Sequence, residues 1–414
     1  MTMRDLRSPQ MMALQREIEA GHAAALETFW REIVEQGTPL IEPLPDDDAH
    51  AFVTFLWRDT PETGSAVVMS PITEPTSRTL FLQQMTRLPG TDVWYATSRA
   101  RTDLRATYRL ATGDAFRDFH AVAADPAMIA EAMATFHPDP LNRQPFPTDD
   151  PEWSAVTLPA APPQPWIIAR PDVPSGAIQE HRLRSAILGN ERDIWVYLPP
   201  GYAARGDAYR LLLLFDGGPY LEWVPAPTIL DNLCAAGHLP PMVAVLVGHS
   251  DIGERMRELS CSPAFVDFVA YELMPWVSQA YHVTTDPQQR IVGGSSLGGL
   301  TAAFLGLRHP ELFGRALCQS GSFWWAPDDD PEAEWLTRQF VTSPRVPLHV
   351  YLDAGIHELW TKSATGPNLL IATRHLRDVL RAKGYAVHHA EFNGWHDYIS
   401  WRGTLADGLM ALVG

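Results

Sequence analysis

The sequence is short of cysteine and of positive charge, and it has no long apolar run. Cys234, Cys261 and Cys318 are its only cysteines, scattered and without a CxxC pair. That excludes an even disulfide framework and predicts free buried thiols in a reducing compartment. Lys and Arg number 32 against 49 Asp and Glu, a net charge of −17, which argues against nucleic acid or an anionic membrane as a partner. An anionic small molecule is compatible, provided arginines gather at its site. No apolar run reaches the roughly eighteen residues that a spanning helix needs. The stretch "MTMRDLRSPQ" carries no apolar core of the secretory kind, so a soluble, cytoplasmic chain is expected. The glycine-rich stretch "IVGGSSLGGL" (291–300) is not followed by GK[ST], which disfavours a phosphate-cradling loop.

What is present divides the chain. At 414 residues two domains are expected. From Ser8 to Glu35 the pattern is helical, with a Ser8-Pro9 start and Met11, Leu14, Ile18, Phe29 and Ile33 at helical spacing. Between about residues 50 and 114 the period becomes strand-like: "AFVTFLWRD", "SAVVMSPI", "DVWYATS" and "RATYRLA" are short, β-branched or aromatic, and separated by turn residues. They predict a small antiparallel sandwich. Residues 137–174 are crowded with proline, and Trp153 and Trp166 predict a connector docked on a surface. Thereafter strand candidates at 193–199, 210–216, 242–248, 290–294, 315–320, 348–354 and 386–392 alternate with helical patterns at 262–281, 297–309 and 367–383. Apolar strands interleaved with helices predict an α/β unit, a mostly parallel sheet covered on both faces. The division is therefore 1–150 for helix plus sandwich, 151–174 for the connector, and 175–414 for the α/β domain.

The stretch 294–298 reads G-S-S-L-G, a G-x-S-x-G pattern centred on Ser296, after a predicted strand and before a predicted helix. That is the setting of a nucleophile elbow, where a sharp bend exposes the serine and neighbouring side chains would clash. A serine hydroxyl needs a histidine base, and the histidine an acid to orient it, in the chain order serine, acid, histidine. "LDAGIHELW" (352–360) offers Asp353 and Glu358. Glu358 is preferred because it falls beyond the strand end. "NGWHDYISW" (393–401) offers His396, in a Gly-containing loop, whereas His388 and His389 fall inside a strand. The oxyanion requires backbone donors. The N–H of Leu297, just after the nucleophile, is one, and the N–H of Gly218, in "LLLLFDGG", is the second. His357, His388, His389 and His396 lack the spacing of an HExxH-type metal site, so no metal site is expected.

These residues, with "VTFLWRD" (53–59), "GTDVWYATS" (90–98), "DPLN" (139–142), "PPQPW" (162–166), "ERMREL" (254–259), "QSGSFWW" (319–325), "DAGIHE" (353–358) and "HDYISWRGTL" (396–405), make a chain that resembles the enterochelin (enterobactin) esterase family over nearly its whole length. That family hydrolyses ferric catecholate siderophores so that the cell can use the iron. The resemblance implies an α/β-hydrolase domain behind an immunoglobulin-like sandwich that helps wall the site. It implies a triad of Ser296, Glu358 and His396, and Arg255 facing the trianionic iron–catecholate, where guanidinium groups pair well with such oxygens. Arg257 is a second cation, with an ion pair to Glu254 or Glu258 as the alternative. Phe323, Trp324 and Trp325 would offer aromatic surface to catechol rings, or else pack inward. Arg402 is a candidate for the anionic rim. The expected cofactor is none, iron arriving only with a small-molecule substrate, and the oligomeric state is left open. Three features depart from the family pattern: Gly394-Trp395 stands where a double glycine is usual, no acidic residue follows Asp216-Gly217, and no proline follows the acid. The alternatives are an esterase for another aromatic ester, of feruloyl type, and a binding module with a silent hydrolase domain.

Overall fold

The computed structural model describes residues 8–72, 81–116, 128, 132–147, 152–359, 361 and 366–413. The chain divides into two compact units, with the boundary between Pro162 and Pro163.

In the first unit the helical stretch is two helices, Pro9–Glu19 and Ala25–Gln36. Ser8 caps the first, its Oγ accepting from the Met11 N–H at 2.9 Å. Gly21, with φ of 78°, sits in the turn that separates them. Two antiparallel sheets follow. One has the order β1-β2-β6-β5, with β1 Leu40–Leu44, β2 Asp47–Arg58, β5 Thr86–Arg87 and β6 Val93–Arg101. The other has the order β4-β3-β7-β9-β8, with β3 Ala66–Met69, β4 Leu82–Gln84, β7 Arg105–Thr112, β8 Pro145–Phe146 and β9 Trp153–Thr157. Their inner faces meet where the rings of Phe55 and Tyr108 approach to 4.8 Å. Met11, Leu14, Phe29, Trp30 and Ile33 from the helices pack with Leu40, Leu56, Leu88 and Val93 of the first sheet's side. Strand β9 falls where the connector was expected to begin. It runs free of proline from Trp153 to Thr157, so its N–H groups can complete the ladder with β7.

The second unit is an eight-stranded sheet of order β10-β11-β13-β12-β14-β15-β16-β17. The strands are β10 Ala177–Arg184, β11 Glu191–Leu198, β12 Arg210–Phe215, β13 Met242–Val247, β14 Arg290–Ser295, β15 Arg315–Gln319, β16 His349–Gly355 and β17 Ala386–Phe392. Strand β11 is antiparallel to both neighbours and the remaining six, β12 to β17, are mutually parallel. Period-two alternation splits the side chains between two cores. Leu211, Leu213, Phe215, Val292 and Val350 face the helices at 263–280, Leu297–Arg308, Trp335–Thr342 and Leu369–Ala382. Leu212, Leu214, Ile291 and Leu317 face Ala226–Ala235 and Tyr398–Val413. This is the α/β-hydrolase arrangement. Its parallel strands all end on one edge, where functional loops collect. Segment 163–176 lies on this unit, Asn232 Nδ2 donating to the carbonyls of Trp166 and Ile168 at 2.8 and 2.9 Å. Among the described residues no helix is long and apolar enough to cross a membrane.

Candidate active site

Strand β14 runs straight into Ser296, whose φ of 59° and ψ of −121° make the sharp turn into the helix Leu297–Arg308. Such backbone is uncomfortable for any residue with a Cβ and holds only where the surroundings over-determine it. The glycines explain how it is tolerated. A Cβ on Gly294 would lie 2.8 Å from the Gly298 carbonyl carbon, and one on Gly299 would lie 3.1 Å from the Gly294 oxygen. Strand end and helix start are thus in contact, backbone on backbone. Ser296 N–H donates to the Gln319 carbonyl at 2.9 Å. Its hydroxyl lies 3.3 Å from that of Ser322, whose N–H in turn donates to the Ser296 carbonyl at 3.0 Å.

A second helix begins beside it. At the end of β12 Asp216 takes a left-handed φ of 59° and the helix Gly217–Glu222 follows. The two glycines do different things. A Cβ on Gly217 would press on Leu246 and Trp195 at 3.0 Å, whereas one on Gly218 would meet nothing within 4 Å. Gly217 serves packing and Gly218 faces open space. The N–H groups of Gly218 and Leu297 both lie in first helical turns, where no intrahelical acceptor exists. The turns adjoin: a Cβ on Gly298 would lie 3.3 Å from Asp216 Oδ2.

Asp216 is fully buried and held by Arg255, with Nε donating to Oδ1 at 2.6 Å and Nη2 to Oδ2 at 2.7 Å. Arg255 sits on the helix Ile252–Glu258, which is itself anchored. Arg192, buried over Phe268, donates to Glu258 at 2.6 and 2.7 Å, and Asn190 bonds both Glu254 and Glu258.

On the other side of β14, the loops after β16 and β17 are stitched together. Ile356 N–H donates to the Phe392 carbonyl at 2.9 Å and His357 N–H to the Gly394 carbonyl at 3.2 Å. Glu358 is fully buried, and its Oε2 stands 3.5 Å from His396 Nδ1. Its other oxygen, Oε1, accepts from Ser320 Oγ at 2.6 Å and from the Gly355 N–H at 3.2 Å. Asp353, the other acid weighed from the sequence, is also fully buried. Its Oδ1 accepts from the Ser320 N–H at 2.8 Å, and burial, with Glu358 nearby, pushes its carboxyl up to about 7. The His396 ring stands edge-on to Trp401, centroids 4.9 Å apart. A carboxylate facing a histidine nitrogen, both on loops at the ends of strands in the sheet whose strand β14 ends at the partly buried Ser296, is a set of groups capable of activating a hydroxyl nucleophile.

An esterase family model matches residues 185–412, and a model described as enterochelin esterase, N-terminal, matches residues 52–167. The chain is 32% identical to the iron(III) enterobactin esterase of Dickeya dadantii over 94% of its own length and 93% of that protein's. This chain belongs to the enterochelin esterase family. The ferric enterobactin esterase of Salmonella typhimurium superposes with a TM-score of 0.78 at 28% identity, covering 93% of this chain and 98% of that one. The enterobactin esterase of Shigella flexneri, crystallised in the presence of enterobactin, superposes with a TM-score of 0.76 at 28% identity, covering 93% and 97%.

Against this family's pattern the remaining predicted residues fall out unevenly. Arg255, expected against an anionic ligand, gives its Nε and Nη2 to Asp216, and its side chain is 13% exposed. Arg257 is exposed, and the glutamates expected as its alternative partners turn inward, toward Asn190 and Arg192. Phe323 is wholly buried in the core, folded over Gly321, so it has no surface to offer a catechol ring. Trp324 and Trp325 are half-buried, and Trp325 stacks edge-on with Trp335 at 5.9 Å. The indole of Trp395, in place of the family's second glycine, donates to Asp397 Oδ2 at 2.6 Å within the His396 loop. Arg402 Nε donates to Gln164 Oε1 at 2.8 Å, binding the segment after Pro163 to the last helix. Among the described residues, no three His, Cys, Asp or Glu side chains gather as a metal cluster would. Sequence reasoning passed over Asp216, Ser320, Ser322 and Trp401. A strand-ending Asp before two glycines was a usable signal for Asp216, while the others are ordinary core types one residue at a time.

Proposed function

We propose that this enterochelin esterase family member is a serine esterase that cleaves the ester bonds of a catecholate siderophore of the enterobactin type. The observation that carries the reading is the strained Ser296 turn at the end of β14, with Glu358 facing His396 on the neighbouring strand-end loops. The names of the relatives, esterases of iron(III) enterobactin, support the substrate class.

In this reading Ser296 Oγ attacks a serine-lactone carbonyl while His396 accepts its proton and Glu358 steadies the resulting imidazolium. The tetrahedral oxyanion is held by the N–H groups of Leu297 and Gly218, from the two adjoining first turns. Collapse breaks the ester C–O bond, and the departing seryl alkoxide takes the proton from His396. Water, deprotonated by the same histidine, then cleaves the acyl-enzyme and restores Ser296. This chemistry draws on no cofactor of the protein, and the iron enters with the substrate. Arg255 acts through Asp216 on the turn that carries Gly218, and the aromatic surface at the site comes from Trp324, Trp325 and Trp395 rather than Phe323.

The test is product analysis. Purified protein and its Ser296→Ala variant are mixed separately with ferric enterobactin, iron-free enterobactin and methyl ferulate, and products are followed by chromatography with mass detection. Serine-dependent release of dihydroxybenzoyl-serine units supports the reading. Serine-dependent ferulate release with enterobactin untouched would move the substrate to another aromatic ester. A fluorophosphonate that fails to label the wild type, where a control esterase labels, would leave only a binding role.

A further inference from the structure

Behind Glu358 lies a hydroxyl whose single proton has only one place to go. Ser320 follows the last residue of β15 and takes a φ of 45°, backbone that suits glycine and burdens serine. Its side chain is fully buried between two partners. Trp401 Nε1 lies 2.9 Å from Ser320 Oγ, and Ser320 Oγ lies 2.6 Å from Glu358 Oε1. An indole N–H donates and cannot accept, and an ionised carboxylate accepts and cannot donate. The direction of the chain is therefore fixed: Trp401 donates to Ser320, and Ser320 donates to Glu358. With the Gly355 N–H also on Oε1, that oxygen is occupied, and the carboxylate's other oxygen faces His396. Trp401 meanwhile sets its ring edge-on to His396, so one residue touches the histidine directly and reaches the acid through Ser320.

We infer that Ser320 and Trp401 form a donor relay that sets the rotation of Glu358, making Ser320 a positioning residue for the acid. The inference rests on the role proposed for Glu358. It does not depend on the siderophore as substrate, so a simple chromogenic ester, p-nitrophenyl butyrate, serves as the probe.

The decisive variants are Ser320→Gly, which removes the hydroxyl while suiting the backbone, and Trp401→Phe, which keeps an aromatic ring but removes the N–H. Ser320→Gly relieves the strained backbone but strands the buried Trp401 N–H, so its melting temperature is expected to stay within a few degrees of wild type, with KM nearly unchanged, while kcat falls about tenfold, as misorientation of a catalytic group does. The rate of Ser296 phosphonylation by a fluorophosphonate should fall in parallel. Trp401→Phe is expected to lower kcat about fivefold, the worth of one neutral hydrogen bond, and to have no further effect on kcat in the S320G background. Ser320→Ala should match Ser320→Gly in kcat but melt lower, because its Cβ keeps the backbone strain. Wild-type kcat in both Ser320 variants, or an equal loss from Trp401→Phe in either background, overturns the relay. A Ser296→Ala variant that still turns over the ester would instead overturn the serine-esterase reading itself.

Discussion

Arg255 closes on Asp216 with two parallel charge-assisted hydrogen bonds, and Asp216 is the residue that turns β12 into the helix bearing Gly218. A guanidinium fork matched to a carboxylate fixes both position and rotation, which a lysine cannot do. Removing one member of a buried pair leaves the other charge stranded, at a cost of about 3–5 kcal/mol. Arg255→Ala is therefore expected to lower the urea midpoint sharply. It should also depress kcat on a neutral ester as much as on an anionic one. A loss confined to KM for the anionic ester would return Arg255 to the role of a ligand.

The Ser296 turn stores strain that glycine would not feel. Ser296→Gly is expected to abolish ester turnover yet stabilise the fold by about 1 kcal/mol, a rise of roughly 2 °C in Tm. Differential scanning calorimetry on both proteins checks this. A lower melting temperature in the variant would show that the serine side chain supports the turn.

Gly355 ends β16 against the histidine loop, where a Cβ would lie 2.4 Å from the Gly394 carbonyl oxygen. Gly355→Ala must push the two loops apart, and with them Glu358 and His396. A displacement near 1 Å in such a site costs about a hundredfold in rate. Steady-state kinetics should show that loss in kcat with KM little altered. Unchanged kcat would mean that the loops absorb the methyl group elsewhere.

Asp353 gives the stability a pH dependence of defined sign. Its folded-state value near 7 lies above the ordinary carboxyl value, chiefly through burial. Between about pH 4 and pH 7 the folded chain holds a proton that the unfolded chain releases, so stability falls as pH rises through that window. The drop attributable to this group is on the order of 4 kcal/mol. Urea midpoints at pH 5 and pH 7.5 should differ in that direction, and Asp353→Asn should narrow the gap. Midpoints that respond to pH identically in both proteins would rule this out.

Much of this fold can be read from the chain because its central strands are buried on both faces and so read as unbroken apolar runs: "RLLLLFD" and "MVAVLVG" leave no other interpretation. What escaped lacks that signature. Strand β10, "AIQEHRLR", is exposed over most of its length and holds its place at the sheet edge by pairing with β11 alone. The helix Tyr398–Val413 buries residues on several sides and shows no apolar stripe. The proline-rich stretch hid β9, since proline density marks a neighbourhood and not each residue within it. For the site, the serine turn is local and its glycines announce it. Arg255 is different, because its partner lies 39 residues back, and one dimension shows a charge but not what it faces. Phe323, Trp324 and Trp325 look alike in sequence, and only packing separates the first from the others.

The helix that starts at Ser296 buries eleven of its twelve residues. A helix so enclosed has no solvent face from which to fray, and its amides are exposed only when the whole unit opens. Hydrogen exchange along Leu297–Arg308 should then be as slow as global unfolding permits. The bond-forming end of the site would thus share its lifetime with the fold.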